Sequence, residues 1–334
     1  MICLCDEERG AGCSAGKMGR MRASDSVVGG RTSVVIVGWQ VRNLLRACLR
    51  SIARHEDRAA LEVWVVDNAS TDGTAAMVAT EFPWVRLVPL AENPGFAAAN
   101  NIALRGATGD VCILLNPDTE VHDDALTALA AYLRGHPSVG VAGPRLVNPD
   151  GSLQSAGFAP PSLFQVWYEL VPWPRRFYHS RLNGRFVEPL PDAPYPVGFP
   201  LGACLATRRD VLDAVGPLDE AYGMYMEEID FCARVRAAGY TVHILPQVVV
   251  THHGGRSTQQ APEAMFLALH RARRRFSGEH HPRWWRWCAA RLTRTGLVVA
   301  SARAFIAFRR GSLVWDECRA RVRMYGRAAR LWRP

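Results

Sequence analysis

Residues 61–74 have the sequence LEVWVVDNASTDGT, in which an apolar run gives way to a polar loop. The run Leu61–Val66 is rich in β-branched and aromatic side chains, which is typical of a buried strand. Asp67 follows this run directly, and residues 72–74 (DGT) have the composition of a helix start. The stretch therefore predicts one strand–loop–helix unit of an α/β protein.

The same alternation continues on both sides of that unit. Strands are predicted at Ser33–Val37, Leu61–Val66, Val85–Leu90, Val111–Asn116, Val139–Gly143, Gly202–Thr207 and Tyr240–Leu245. Helices are predicted at Val41–Arg54, Thr74–Phe82, Gly95–Ala107, Asp123–Arg134, Arg209–Val215 and Glu228–Ala238. This pattern favours an α/β fold with a mostly parallel sheet. Ligands of such sheets bind beyond the carboxyl ends of the strands, here the polar loops 67–73 and 116–120.

In the first loop the carboxylate of Asp67 comes directly after a strand. A carboxylate in that place can accept hydrogen bonds from a nucleobase or a ribose hydroxyl. The alternative is an Asx turn in which Asp72 or Ser70 caps the following helix. Capping alone would explain Asp72, whereas Asp67 is a candidate ligand-binding residue.

The second loop, residues 114–120 (LLNPDTE), has two acids and an amide after an apolar strand. A divalent cation that bridges a diphosphate needs only one or two protein carboxylates, because phosphate oxygens and water complete its shell. Asp118 and Glu120 could supply a direct and a supporting ligand. The alternative is a plain turn that ends the strand.

Two later clusters carry further candidates. Glu227, Glu228 and Asp230 lie at a predicted helix start, where acids favour the helix dipole. Adjacent like charges also raise one another's pKa, as a general base requires. His252 begins the segment HHGGRS at 252–257 and could complete a metal shell, although a histidine pair is also compatible with a structural role.

The order and spacing of these segments are more specific than any one of them. The series VVDNASTDGT (65–74), NPGFAAAN (93–100), LNPDTE (115–120), VGPLDE (215–220), YMEEIDFC (225–232) and HHGGRS (252–257) resembles the family 2 glycosyltransferases, especially their bacterial rhamnosyltransferase-like branch. The resemblance covers about residues 33–275. It implies a GT-A fold, an inverting mechanism, and a nucleoside-diphosphate-sugar donor with Mg²⁺ or Mn²⁺.

The resemblance also implies roles for single residues. Asp118 and His252 would bind the metal, and Glu228 would be the catalytic base. Glu120, Glu227 and Asp230 would be supporting acids. The donor would be bound by Asp67, Asn68, Ser70, Asn93, Gly95, Asn100 and Asn116.

Two positions depart from the family pattern. Gln40 stands where the family commonly has Asn, and Glu228 stands where it usually has the shorter Asp. A base misplaced by ~1 Å can cost on the order of 100-fold in rate. An alternative function is therefore a non-catalytic nucleotide-sugar-binding protein derived from a transferase.

Composition divides the 334-residue chain into three parts. Residues 1–30 are predicted to be a disordered leader. Residues 31–275 would form the GT-A domain, with a nucleotide-sugar half at 31–143 and an acceptor half at 144–275. The second half includes a long insertion at 144–200, rich in Pro and aromatic residues, of the kind that forms lids or binding walls. Residues 276–334 would be a basic amphipathic helical extension.

The tail has a different charge from the body. Residues 271–334 contain 17 arginines and three acids, whereas the whole chain has a net charge of +9, so the first 270 residues are net acidic. Residues 281–287 and 297–308 together combine Trp, aliphatic residues and Arg, a composition that suits a helix in a membrane interface. An equally favoured alternative is a helix pair packed on the domain with a solvated basic face.

These features set the expected partners and location. The tail lacks a nucleic-acid-reading motif, so no nucleic acid is expected. No apolar run reaches the ~18 residues of a spanning helix, and no signal-peptide core or disulfide framework is visible. We expect a cytoplasmic enzyme, peripheral on the inner face of the plasma membrane. It would transfer rhamnose or another hexose to a glycan or lipid-linked acceptor of a cell-wall or surface polysaccharide.

Overall fold

A computed structural model describes residues 30–170, 183–186, 190–254 and 262–333. The predicted leader, apart from its last residue, lies outside the described residues, as do residues 255–257 of the HHGGRS segment. The predicted insertion at 144–200 is described in part.

The first half of the chain has the predicted alternation of strands and helices. The strands are β1 (Thr32–Gly38), β2 (Leu61–Asp67), β3 (Arg86–Pro89), β4 (Val111–Leu115), β5 (Thr119–Val121) and β6 (Val139–Val147). The helices are α1 (Arg42–His55), α2 (Thr74–Glu81), α3 (Phe96–Gly106) and α4 (Ala125–Gly135). Each predicted element is confirmed to within a few residues. The short strand β5 was not predicted.

The second half combines short strands with four larger elements. The short strands are β7 (Leu153–Gln154), β8 (Gly157–Phe158), β9 (Tyr195–Pro196) and β10 (Phe199–Pro200). The larger elements are α5 (Leu163–Leu170), β11 (Cys204–Arg208), α6 (Arg209–Val215) and α7 (Glu227–Ala237). The last strand, β12 (Thr241–His252), continues well past its predicted end at Leu245.

One sheet organises the domain, and its strand order is β3-β2-β1-β4-β11-β6-β12-β5. β3, β2, β1 and β4 are parallel, and β11 runs antiparallel between β4 and β6. β12 is parallel to β6, whereas the edge strand β5 is antiparallel to β12. The predicted α/β fold with a mostly parallel sheet flanked by helices is confirmed.

Burial explains why the central strands are continuously apolar. Val34, Val35 and Ile36 of β1 are fully buried, because helices cover both faces of the sheet. Helix α1 packs on the sheet through one stripe that includes Leu45, Leu49 and Ile52. The packing of helices on the sheet holds the carboxyl ends of the strands in place, and the candidate site lies at those ends.

The C-terminal region is helical, as predicted. It consists of α8 (Pro262–His280), α9 (Arg283–Arg309) and α10 (Trp315–Leu331). The expected boundary between residues 275 and 276 falls inside α8. Trp285 and Ala289 of α9 pack against α5 and Trp332, so one face of α9 is buried on the protein. Within the described part of the chain, no helix has the length and apolarity needed to cross a membrane.

Candidate active site

Asp67 lies at the carboxyl end of β2 and is only 3% exposed. Its Oδ1 accepts a hydrogen bond of 3.3 Å from the backbone N–H of Ser70. Burial raises the pKa of Asp67, since it removes water from the carboxylate. Asp72 precedes Gly73, the N-cap residue of α2, and its Oδ1 accepts from the Thr74 N–H at 3.1 Å. Asp72 therefore bonds to the first residue of the helix, whereas Asp67 is left for a ligand.

Gln40 shapes the same loop from the end of β1. Its backbone N–H donates to Ser70 Oγ at 3.0 Å, and its side-chain amide donates to Thr71 Oγ1 at 2.9 Å. It has a left-handed φ of 55°, which is uncommon outside glycine. Gln40 thus holds residues 70–71 in place, a structural role that its position alone did not indicate.

The segment 93–100 lies beside the Asp67 loop. Asn93 Oδ1 accepts from Asn68 Nδ2 at 2.8 Å and from the Gly95 N–H at 3.0 Å. The other side-chain atom of Asn68, Oδ1, is buried and has no partner among the described residues. A buried acceptor without a donor is costly, so this oxygen is a candidate to receive a donor group from a ligand.

Gly95 and Asn101 connect this segment to residues 218–223, in the second half of the chain. Gly95 has a φ of 98°, and a Cβ there would lie 3.0 Å from the carbonyl oxygen of Gly223, which accepts from the Phe96 N–H. Asn101 Nδ2 donates to the Leu218 carbonyl at 2.8 Å. The neighbouring Asn100 is buried and donates to the Phe96 carbonyl within α3. Sequence reasoning selected Asn100 and missed Asn101, which forms the contact between the halves.

The pairing of β5 with β12 brings Asp118 and His252 together. His252 is aligned with Thr119, and the His253 N–H donates to the Asp118 carbonyl at 2.9 Å. The Nε2 atom of His252 lies 3.5 Å from Oδ1 of Asp118, and the two residues are 7% and 6% exposed. On its other side, His252 Nδ1 lies 2.8 Å from Oε1 of Gln154. Gln154 was not among the predicted site residues.

Glu120 and Asn116 have other partners. The carboxylate of Glu120 lies 2.7 Å from Nε2 of His253. The backbone N–H of Asn116 donates to the Ala203 carbonyl at 2.9 Å, which joins the loop after β4 to the loop before β11. This bond places the Asp118 loop beside Gly202, which neighbours the side chain of Glu228 closely enough that an added Cβ would meet it.

The acid cluster begins directly after two strained residues. Tyr225 and Met226 have left-handed φ values of 70° and 72°, and such strain is concentrated at functional sites. Glu228 follows at the start of α7, and a Cβ added to Gly202 would lie 3.5 Å from its Cδ. Oε2 of Glu228 is buried without a partner among the described residues. Burial raises the pKa of Glu228, which makes this carboxylate a stronger base than an exposed one.

The other two acids of the cluster have separate environments. Glu227 is buried, and its pKa is raised well above the usual range by burial and then by the charge of Glu228. Asp230 pairs with Arg234 at 2.8 Å and with His280 at 2.6 Å, so it joins α7 to α8. A helix turns by roughly 100° per residue, so Glu228 and Asp230 project in opposite directions. The carboxylate of Asp230 therefore does not lie beside that of Glu228.

Asp118 and His252 fit a divalent cation. A carboxylate oxygen and an imidazole nitrogen are both ligands of Mn²⁺-type ions, and neighbouring ligand atoms of such an ion are roughly 3 Å apart. The 3.5 Å between Nε2 and Oδ1 exceeds an ordinary hydrogen bond but allows two ligands of one ion. Their burial also excludes competing water.

A second group of ligand-type atoms lies elsewhere. Asp230, Glu279 and His280 bring such atoms within 4.8 Å of one another. However, Arg234 and Arg275 already pair with the two carboxylates, and Tyr222 donates to Glu279 at 2.7 Å. We therefore assign this group to the packing of α7 against α8.

Comparisons with known proteins identify the family of this chain. Residues 33–216 match the family described as Glycosyl transferase family 2. The N-acetylglucosaminyl-diphospho-decaprenol L-rhamnosyltransferase of Mycobacterium tuberculosis is 32% identical over 267 residues, which are 76% of this chain and 86% of the relative.

Solved structures share the fold. The mannosyltransferase PcManGT from Pyrobaculum calidifontis, in complex with GDP-Man and Mn²⁺, has a TM-score of 0.55 at 19% identity, over 90% of this chain and 86% of that one. GalNAc-T7 with UDP, GalNAc and Mn²⁺ has a TM-score of 0.51 at 20% identity, over 67% of this chain and 43% of that one. The chain is a glycosyltransferase with a GT-A fold, and it belongs to glycosyltransferase family 2.

Proposed function

We propose that this glycosyltransferase transfers a rhamnosyl residue, with inversion, from a nucleoside-diphosphate donor to a polyprenyl-diphosphate-linked sugar. The rhamnosyltransferase from M. tuberculosis supports the choice of sugar and acceptor, because the alignment spans 86% of its length. The observation that carries the catalytic role is the buried oxygen of Glu228, which has no partner among the described residues. Asp118 and His252 would face it from the donor side.

The donor would lie across the carboxyl ends of β1, β2 and β4. Asp67 and Asn68 both offer buried acceptor oxygens to the base or ribose. The loop held by Gln40 presents Ser70 beside them, and Asn93 and Gly95 form the opposite wall. This arrangement orients the nucleotide so that its diphosphate points toward Asp118.

Asp118 and His252 would hold Mg²⁺ or Mn²⁺ at the diphosphate, with Glu120 as a supporting acid through His253. When bound, the ion supplies charge stabilisation for the departing diphosphate. The mixed oxygen and nitrogen ligands favour Mn²⁺ somewhat over Mg²⁺, which prefers oxygen. The buried position of both side chains strengthens their interaction with a cation.

Glu228 would act as the base for the acceptor. Its carboxylate takes the proton of the acceptor hydroxyl as that oxygen attacks the anomeric carbon. The bond between the anomeric carbon and the diphosphate oxygen breaks, and the nucleoside diphosphate leaves with the bonding electrons. Attack from the face opposite the leaving group inverts the anomeric centre.

A membrane-facing surface would bring the lipid-linked acceptor to this site. Six exposed residues of α9 recur at helical spacing and form a stripe, which comprises Trp284, Trp287, Arg291, Arg294, Val298 and Phe305. Helix α9 has six arginines and no acid. Trp284 is 64% exposed, on the side of α9 away from the buried Trp285. Exposed Trp and Arg on one face suit the interface of an anionic bilayer.

Helix α8 would link that surface to the base. Ala272 and Phe276 of α8 pack on Tyr222 and Met226, the residue that directly precedes Glu227. A protein docked through α9 would therefore hold the start of α7, which carries Glu228, at a set height above the membrane.

A donor screen tests this function. The full chain is incubated with dTDP-rhamnose, UDP-sugars or GDP-sugars, a synthetic N-acetylglucosaminyl-diphospho-polyprenol, and Mn²⁺ or Mg²⁺. Mass spectrometry should detect one added deoxyhexose with dTDP-rhamnose and a much slower reaction with the other donors. Rapid transfer of another sugar would contradict the choice of donor. Tight donor binding without turnover of any donor would favour a non-catalytic binding protein.

A further inference from the structure

Residues 148–154 form a turn whose side-chain hydrogen bonds have a fixed direction. Oδ1 of Asp150 lies 2.6 Å from Oγ of Ser152, and an ionised carboxylate can only accept. The single hydroxyl hydrogen of Ser152 therefore points to Asp150. Ser152 Oγ must then accept from Nδ2 of Asn148, which lies 2.9 Å away.

The same order of donors and acceptors extends to Gln154. Because Asn148 donates through Nδ2, its Oδ1 is the acceptor for Nε2 of Gln154 at 3.1 Å. The oxygen of Gln154, Oε1, then faces Nδ1 of His252 at 2.8 Å. An amide oxygen accepts and cannot donate, so Nδ1 of His252 must carry a hydrogen.

This hydrogen determines the chemistry of the opposite ring nitrogen. In a neutral imidazole with its hydrogen on Nδ1, Nε2 has a free lone pair. Nε2 lies 3.5 Å from Oδ1 of Asp118, so two acceptor atoms face each other in a buried place. A cation between them would satisfy both.

We propose that Gln154 is a positioning residue that fixes the His252 ring in the tautomer required for metal binding. The proposal rests on the assignment of Asp118 and His252 as metal ligands made above. Gln154 is held for this task by the backbone, since β7 pairs with β6 and aligns Gln154 with Leu146. Such outer partners of a ligand histidine set its orientation and basicity.

The tautomer can be measured directly on the metal-free full chain. ¹⁵N-labelled histidine gives distinct NMR patterns for a hydrogen on Nδ1 and on Nε2, and His252→Gln identifies the signal. We expect the hydrogen of His252 on Nδ1. Gln154→Ala should shift the ring toward the other tautomer, whereas Gln154→Glu keeps an acceptor and should retain Nδ1–H.

Gln247→Ala is the matched control. Gln247 lies on the same strand as His252, and its Nε2 donates to the Asp192 carbonyl at 2.6 Å. This variant should leave the His252 signal unchanged. A wild-type ring with its hydrogen on Nε2, or a Gln154→Ala ring identical to that of Gln247→Ala, would overturn the proposal.

Metal affinity provides the second readout. Mn²⁺ alone is titrated into the labelled protein, and paramagnetic broadening of the His252 signal is followed. Loss of an outer partner typically weakens a metal site by about 10–100-fold, so Gln154→Ala should need that much more Mn²⁺. Equal broadening in Gln154→Ala and Gln247→Ala would contradict the role. These results do not depend on sugar transfer, so failure of the proposed reaction would be seen separately.

Discussion

Nε2 of His252 lies 3.5 Å from Oδ1 of Asp118, although the two residues belong to opposite halves of the chain. The antiparallel pairing of β5 with β12 produces this approach. Asp118 viewed alone is one acid in a turn, and its candidate role depends on the strand that delivers His252.

Glu228→Gln should lower the rate of sugar transfer by about 10²–10⁴-fold, the usual contribution of a positioned base. Gln has nearly the same shape but cannot take the acceptor proton. Donor binding should stay within about two-fold, because the proposed role of Glu228 is toward the acceptor hydroxyl and the donor is assigned to other residues. Steady-state kinetics and calorimetric titration of the nucleotide distinguish the two effects. Glu228→Asp should retain much more activity than Glu228→Gln, and comparable rates in the two variants would remove Glu228 from the role.

Glu227→Gln should change the pH dependence of stability. The pKa of Glu227 in the folded protein is raised well above its ordinary value of 4.5 by burial and by Glu228. A raised carboxyl pKa gives stability that is present below pH 4.5 and is lost as pH rises through the folded value. The Gln variant has no carboxyl group to ionise at this position, so it does not lose this stability. Each unit by which folding raises the pKa corresponds to about 1.4 kcal/mol of lost stability. Its unfolding free energy should therefore exceed the wild-type value more at pH 7.5 than at pH 4.5. A constant difference in urea unfolding across this range would contradict the shift.

Much of the fold was predictable because most of its strands and helices are encoded by the residue pattern of each short segment. Apart from β12, which continues well past its predicted end, the apolar strands and amphipathic helices are present within a few residues of their predicted ends. The three-residue strand β5 is too short for a periodic signal, and it is fixed by pairing with β12. Without that pairing, the approach of His252 to Asp118 could be inferred only from the family resemblance.

The site was predictable for residues that follow strands and less so for their partners. Asp67 and Asp118 lie at strand ends, where parallel sheets place ligands. Gln154 lies in an irregular insertion, and a lone Gln has no sequence signal for a contact with His252. Asp230 was grouped with Glu227 and Glu228 by adjacency. Its partner His280 comes from a distant helix, which the local pattern could not indicate.

Gly95→Ala should destabilise the contact between the two halves. Gly95 has φ 98° and ψ 171°, a region that is essentially restricted to glycine, and its Cβ would meet the carbonyl of Gly223. The expected cost is about 1–3 kcal/mol. Transfer should also fall, because Gly223 lies in the segment that leads into α7 and Glu228. Gly135→Ala is the control, since a Cβ there has nothing within 4 Å. Equal urea midpoints for the two variants would contradict the predicted strain.

Arg294→Glu should weaken binding to anionic liposomes. Arg294 is exposed on α9, and each arginine near an anionic bilayer contributes about 1 kcal/mol. Reversal of the charge should therefore lower the membrane partition coefficient by roughly ten-fold or more. Arg54→Glu, an exposed arginine on α1, is the matched control and should bind as the wild type does. Sedimentation with phosphatidylglycerol vesicles at low and high salt measures both. Absence of wild-type binding at low salt would contradict membrane docking.

The metal dependence of donor turnover in Asp118→Asn tests the central assignment most directly. Wild-type protein treated with EDTA should be inactive and should regain transfer when Mn²⁺ is added. Asp118→Asn should remain at least about 100-fold slower at saturating Mn²⁺, because the ion provides several kcal/mol of transition-state stabilisation. Full activity of the EDTA-treated protein, or near-wild-type transfer by Asp118→Asn, would contradict a metal-dependent site centred on Asp118.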